Sequence, residues 1–263
     1  MSAISLSPLD LSIASALIAF DALLSIILKL QLHRRVLIAA ARMVVQLVAV
    51  GYILRFVFAM HHPAATLVVV LVMAAIAARE IAARPEQKFK GVTGLALSAS
   101  GVAIATVVTV GLALLTAIRP HPWYDARYAI TLVGIILGSV LNAGSLTLDS
   151  MLGGVARQRP GIEAQLALGA SFHEAAFPLL RDAIRRSLLP IVNQMSAAGV
   201  ITLPGIMTGQ ILAGLDPLEA VKYQILLMFL LAGASGLASF VVAFGALRRL
   251  TDDRQRLRLD RLR

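Results

Sequence analysis

The sequence has no cysteine, which excludes disulfides and thiolate metal centres. Charge is also sparse: 14% of residues are charged, against about a quarter in soluble domains. The acids are the scarcer sign, 14 against 24 lysines and arginines. No Gly-x-Ser-x-Gly, His-Glu-x-x-His or Walker A pattern occurs, so the familiar hydrolase, zinc-protease and P-loop chemistries are missing. If ATP drives this protein, the ATPase is another polypeptide. A rhomboid-type protease needs an intramembrane Ser–His pair, but His33, His61, His62, His121 and His173 all fall in expected loops or on a basic, water-facing segment. The start, MSAISLSPLDLS, lacks the basic region and small-residue cleavage site of a secretory signal. Internal repeats and low-complexity linkers are absent.

What fills the chain is apolar. Hydrophobic residues make up 59% and the mean hydropathy is +0.84, which defines an integral membrane protein. A crossing helix needs about 20 apolar residues, so 263 residues are used up by about seven spans in a single transmembrane domain, 1–263. The spans expected are Leu9–Leu32, Val36–Ala59, Ala64–Ala83, Val92–Ile118, Tyr124–Val155, Ala183–Ala213 and Leu218–Leu247. Loops Lys29–Arg35, Arg79–Lys90 and Arg157–Arg186 and the tail from Arg248 hold 19 of the 24 basic residues, and they alternate with basic-poor loops. The positive-inside rule then puts the N-terminus outside and the C-terminus in the cytoplasm. The +10 net charge follows from those loops and does not call for nucleic acid. The tail, residues 248–263, reads as an amphipathic extension of the last span or as a solvated flank.

Polar residues inside apolar spans are costly and mark function or helix pairing. Asp21 lies mid-span, and Arg42 and Gln46 share a face of the next span at i, i+4. An Asp21–Arg42 pair either serves a charged solute or pins two helices. Asn142 and Asp149 lie two turns apart on the fifth span. Asn193 and Gln194 either join helices or line a path. Met195, Met207 and Met228 offer thioethers, which suit soft metals, but they have no regular spacing and also serve as gap fillers. His61-His62 are adjacent and so do not share a helix face.

The stretch Arg157–Leu215 organises the rest. Its first half is amphipathic, with five arginines and three acids. Its second half is apolar but interrupted by Pro190, Gly199, Pro204, Gly205 and Gly209, with Gln210 beside the break. Irregular backbone at membrane depth is tolerated only beside protein or a wet cavity.

Within it, Glu163-Ala164, Gly169, Ala170-Ser171 and Pro190 resemble the EAA-type cytoplasmic loop of ABC permeases. Further blocks widen the likeness: Arg42-Met43-x-x-Gln46-Leu47; Leu141-Asn142 with Leu148-Asp149; Leu166–Ser171; Leu203-Pro204-Gly205-Ile206-Met207-Thr208-Gly209-Gln210-Ile211-Leu212; and Pro217-x4-Val221-x-Tyr223-Gln224. Together, over about Asp10–Arg249, they resemble the FetB-like ABC permeases, iron-export components related to plant aluminium-tolerance half-transporters. Ile206, where methionine is expected, and Ser150 after Asp149, where a basic residue is expected, depart from that pattern.

The resemblance implies an inner-membrane permease homodimer joined to two copies of an ABC ATPase, with ATP and magnesium bound there and no cofactor on this chain. It implies a coupling segment within residues 156–182, carried by Glu163, Ala164, Leu168, Gly169, Ala170 and Ser171. Pro204-Gly205, Met207 and Gly209-Gln210 become a hinge on the path. Iron or a related metal is the implied solute, with metal ligands unassigned. An organic solute such as a nucleotide sugar, or a non-transporting scaffold, are the alternatives.

Overall fold

The computed structural model of the chain describes residues 7–60, 62–119 and 125–263. The His61-His62 pair and the loop holding His121 and Trp123 lie outside the fully described residues. Helices dominate: α1 (Pro8–Ile27), α2 (His33–Met60), α3 (Pro63–Ala83), α4 (Thr93–Leu112, continued by a π-helical stretch Ala113–Ile118), α5 (Ala126–Arg157), α6 (Arg159–Ala167), α7 (Phe172–Ala197), α8 (Gly205–Leu212) and α9 (Pro217–Arg249). Six of them are long and apolar enough to cross a membrane: α1, α2, α3, α4 with its continuation, α5 and α9. These match six of the expected spans. The first ends at Ile27 instead of Leu32, because Lys29 and Gln31 turn the chain at φ 53° and 57°.

The span expected over Ala183–Ala213 is not one helix. Its residues form the second half of α7, a break at 198–204, and α8. Gly199 adopts φ +83°, a value other residues resist. Gly199 N–H then donates to the Thr202 carbonyl at 2.9 Å, closing a tight loop. Pro204 ends the break, while Gly205 opens α8 and Gly209 lies inside it. The interruption thus takes in Gly199 and Pro204, two of the residues expected to interrupt this stretch.

Two compact units divide the chain. In the first, α1 and α2 form a hairpin. Ser7 caps α1, accepting from Asp10 N–H at 3.3 Å while its own N–H donates to the Asp10 carboxylate at 2.8 Å. At the hairpin turn, Ser25 Oγ accepts from Leu32 N–H at 2.9 Å. Most apolar side chains of both helices are exposed, as lipid contact requires.

In the second unit, α5 lies at the centre against α3, α4, α7 and α9. Lipid tails are as apolar as leucine, so close packing and interhelical hydrogen bonds hold such helices together. Glycines permit the approach. A Cβ on Gly245 would collide with Leu97 Cδ1, and one on Gly101 would stand 2.9 Å from Val242 Cγ2. These two contacts run α4 antiparallel to α9. Ser187 Oγ meets Ser239 Oγ at 2.8 Å and Phe172 N–H meets Gln255 Oε1 at 2.9 Å, so α7 runs antiparallel to α9. Leu179 beside Gly154 and Gln194 beside Asn142 make α7 antiparallel to α5 as well.

The basic tail neither extends α9 nor lies loose. It folds back and pairs with the α3–α4 loop: Lys88 N–H donates to the Arg263 carbonyl at 3.1 Å, Arg263 N–H returns to Lys88 at 2.8 Å, and Lys90 N–H donates to Arg261 at 2.8 Å. Phe89 and Leu262 sit buried at the crossing. Asp149 on α5 accepts from Glu86 N–H at 3.1 Å. The α3–α4 loop, the α5–α7 connection and the tail thus share one end of this unit, where the basic loops cluster.

Overpacking is the simplest probe of the glycine contacts. Gly101→Val and Gly245→Val wedge α4 from α9 and are expected to cost about 1–3 kcal/mol each, read as earlier thermal unfolding in detergent. A second prediction concerns the tail. Arg256 holds the Asp252 carboxyl well below the ordinary carboxylate range through its guanidinium, at 2.9 Å, and its amide, at 3.0 Å. Arg258 forks onto Asp260 at 2.8 Å and brings that carboxyl down to about 2. Depressed carboxylates stabilise the folded state above their unfolded pKa of about 4, and the contribution is lost as pH falls through the folded values. The Arg263 amide resonance is therefore expected to hold still from about pH 7 to 5 and to shift only below about pH 4.

Candidate functional site

Three cavities lie around α7, α8 and the facing sides of α5 and α9. The smallest, about 70 Å³, is the polar one, lined by Ser139 and Asn142 of α5, Ser187, Pro190 and Gln194 of α7, and Ser235 of α9. Pro190 has no N–H, so the Arg186 carbonyl one turn earlier loses its helical partner. The hydroxyls of Ser139, Ser187 and Ser235 and the amides of Asn142 and Gln194 make the niche itself neutral and rich in oxygen. Its volume accommodates a cation or a pair of waters, about 30 Å³ each.

Beyond Gln194 the next residue, Met195, enters a larger cavity of about 530 Å³. Met207 of α8 and Met228 of α9 line it too, together with Gly199, Pro204 and Gln224. The walls are apolar, yet the Gln224 amide oxygen is buried there without a hydrogen-bond partner. On the other side of α8 a third cavity, about 250 Å³, is bounded by Arg127, Tyr128, Tyr223 and Gln210. The Gln210 amide oxygen is likewise buried and unpartnered. Short α8 is thus a wall between two cavities, with Met207 facing one and Gln210 the other. At 8 residues it is about 12 Å long, far less than the roughly 30 Å of a hydrocarbon core.

Of the residues singled out in the sequence, Asn142 and Gln194 meet at the polar niche, Pro204 and Met207 at the large cavity, and Gln210 at the third. Gly205 and Gly209 have open space where a Cβ would stand. Asn193 is exposed on α7, and Asp21, Arg42 and Gln46 are exposed on α1 and α2 of the other unit. Methionines with no sequence regularity converge because α7, α8 and α9 bring them to one wall. Ser139, Ser187, Ser235 and Gln224 were not singled out as site residues. A serine in an apolar span carries little signal, since its hydroxyl bonds to its own helix as readily as to a ligand. Among the described residues no cluster of three or more His, Asp or Glu is placed to hold a metal ion, so any metal cargo meets neutral oxygen and thioether donors here.

The second notable geometry is at the basic end. Arg157 ends α5, and α6 follows, tied by an Arg159–Glu163 ion pair of 2.8 Å; Glu163 and Ala164 lie on its exposed face. Gly169, at φ +93°, reverses the chain and places Leu168 88% exposed at the tip. Ser171 then caps α7. It accepts from Glu174 N–H at 3.2 Å, and its own N–H donates to Glu174 Oε2 at 2.8 Å. Those bonds hold the Glu174 carboxyl below its ordinary range.

Six apolar helices, a polar niche between helices and an exposed helix–turn–helix define a polytopic helical membrane protein. Residues 8–251 match the uncharacterised protein family UPF0014, and the chain belongs to that family. It is 39% identical over 231 residues to a Synechocystis UPF0014 membrane protein, covering 87% of each chain. It is 30% identical over 254 residues to the Escherichia coli "probable iron export permease protein FetB", covering 97% of this chain and 96% of that one. Over 233 residues it is 29% identical to the Arabidopsis protein ALUMINUM SENSITIVE 3, covering 88% and 82%. The resemblance drawn from the motifs is borne out by these matches. No solved structure matches the chain significantly.

The Ser187–Ser239 bond beside the niche gives a direct test of its packing. Ser187→Ala strands a buried hydroxyl and is expected to cost about 0.6–2 kcal/mol, whereas Ser187→Ala/Ser239→Ala costs less than the two single changes summed. A double-mutant cycle on detergent unfolding measures this.

Proposed function

We propose that this chain is the permease subunit of an ABC exporter for iron or a related metal ion, working as a homodimer in the cell inner membrane with two copies of a separate ATPase. The observation that carries the ABC reading is Leu168, a large apolar side chain 88% exposed at the tip of a capped helix–turn–helix at the basic end. Such a tip suits a cleft on a partner, with Gly169 permitting the turn and the Ser171–Glu174 box making α7 a stiff lever. The metal cargo is taken from the name of the Escherichia coli relative.

The direction of the helices supports seven crossings. Helices α5 and α9 both run toward the basic end, so α7, the break and α8 carry the chain back between them. Arg181, Asp182, Arg185 and Arg186 make α7 too polar for a lone span, and an Asp182–Arg186 pair at 2.8 Å joins two of them. Seven crossings place the N-terminus outside and the tail in the cytoplasm, in agreement with the basic loops. Movement of α7 reaches the polar niche at Pro190 and Gln194 and then the break at Gly199.

A second reading, an organic solute, is favoured by one observation: the 530 Å³ cavity is apolar and within the size range of small-molecule sites. The chain and its ATPase, reconstituted in liposomes, distinguish the two. Metal export predicts ATP hydrolysis stimulated by Fe²⁺, with ATP-dependent metal movement; Ag⁺ in a parallel arm tests the thioether wall. Stimulation by a nucleotide sugar alone moves the function to an organic solute, and failure to bind any ATPase leaves a scaffold. Leu168→Asp is expected to weaken ATPase binding at least about tenfold, about 1.4 kcal/mol, with thermal stability unchanged because the side chain is exposed. Asn142→Leu with Gln194→Leu is expected to abolish solute stimulation while the complex persists.

A further inference from the structure

The tail turn contains a backbone conformation that calls for a reason. Gln255 has φ +58°, the left-handed region that a long side chain rarely occupies. The turn imposes it. Thr251 and Leu257 pair as an antiparallel bridge, the Asp252 carbonyl accepts from Gln255 N–H at 2.9 Å, and the Asp252 carboxylate accepts from the Arg254 and Arg256 amides at 3.1 and 3.0 Å. Strain maintained by an over-determined surrounding is a pointer to function.

What the conformation achieves is one contact. Gln255 Oε1 accepts from Phe172 N–H at 2.9 Å, the first helical N–H of α7. That donor is an orphan of the helix start, and the Ser171–Glu174 box does not serve it. The Phe172 side chain is 1% exposed. The residue that follows the exposed turn is thereby held twice, by its ring in the core and by its N–H on the tail. The tail in turn is anchored to Lys88 and Lys90 of the α3–α4 loop, and Arg261 donates to the Arg249 carbonyl at the end of α9 at 2.8 Å. The four segments at this end therefore form one mechanical body. Gln255 lies beyond residue 251, where the family match stops.

We infer that Gln255 is a positioning residue for the exposed turn: it fixes the start of α7 to the tail, so that force applied at Leu168 reaches α9 and the α3–α4 loop as well as α7. The inference rests on the proposed coupling role of that turn. Gln255 is itself exposed, so replacing it opens no core.

The test uses the full chain, alone and with its ATPase. Gln255→Ala removes the acceptor. Gln255→Glu keeps it and adds a negative charge at a helix N-terminus, which is favourable. In the permease alone, hydrogen exchange at the Phe172 amide is expected to quicken about fivefold in Gln255→Ala and to stay at the wild-type rate in Gln255→Glu. In the complex, ATPase affinity is expected to remain within about twofold, while the change in hydrolysis that the permease imposes falls at least about threefold in Gln255→Ala and is restored in Gln255→Glu. Unaltered exchange in Gln255→Ala overturns the contact. Faster exchange with undiminished control of hydrolysis overturns the positioning role but leaves the coupling turn standing. A wild-type chain that keeps slow exchange at Phe172 yet binds no ATPase overturns the coupling reading, and the positioning role with it.

Discussion

The direction of α5 and α9 governs the second unit of this molecule. Both run toward the basic end, and the chain between them must return. Two helices that run the same way need a returning connection between them, and here it is α7 with α8. Because α7 begins at a solvated, arginine-rich end and finishes beside apolar cavities, one helix meets two solvents. Its capping box and exposed arginines suit the first. Pro190, Gln194 and the Ser187 contact belong to the second. The polar niche is a product of the same constraint, since a return helix packed against two others must satisfy its own hydroxyls and freed carbonyl from their surfaces.

Small side chains make that packing attainable. Gly101 and Gly245 let α4 and α9 approach until a methyl group would collide, and Gly144 presses on Ile81 with only 3.0 Å to a built Cβ. Between such helices the hydroxyls of Ser98, Thr106 and Ser145 are buried without partners, each at a cost that close contact offsets. Gln210 and Gln224 are different. Both residues line cavities, although their amide oxygens are themselves buried and unpartnered, so a side-chain rotation is needed before either can meet what enters.

Much of the fold was legible because a 3.6-residue helix in lipid needs an uninterrupted apolar run, and six runs are there. The gathering of Lys88, Lys90 and the tail arginines at one end of the second unit was also readable from the spacing of the basic loops. The interruption was foreseen, with Gly199 and Pro204 both among the residues named for it; that Gly199 takes the left-handed conformation was not legible from the sequence. Pairings resisted inspection. Asn142 and Gln194 were each marked as polar, but nothing local says they share a niche; that depends on α7 running antiparallel to α5. The course of the tail was not legible: RRLTDDRQRLRLDRLR left an extension of α9 and a solvated flank both open, and it is the Asp252 carboxylate, accepting from the Arg254 and Arg256 amides, that folds it into a bridge onto the α3–α4 loop.

The polarity of α7 also orders the birth of the protein. A helix with four charged residues in its middle turns gains too little from lipid to enter it alone. If α7 crosses as the proposed seventh span, it can settle only where α5 already stands and α9 offers its serine face. Since α9 is synthesised after it, α7 would then wait at the surface until the ribosome has completed its later neighbour. Insertion on that reading is not strictly sequential, and the last apolar span becomes the late-arriving wall that draws an earlier, reluctant helix inside.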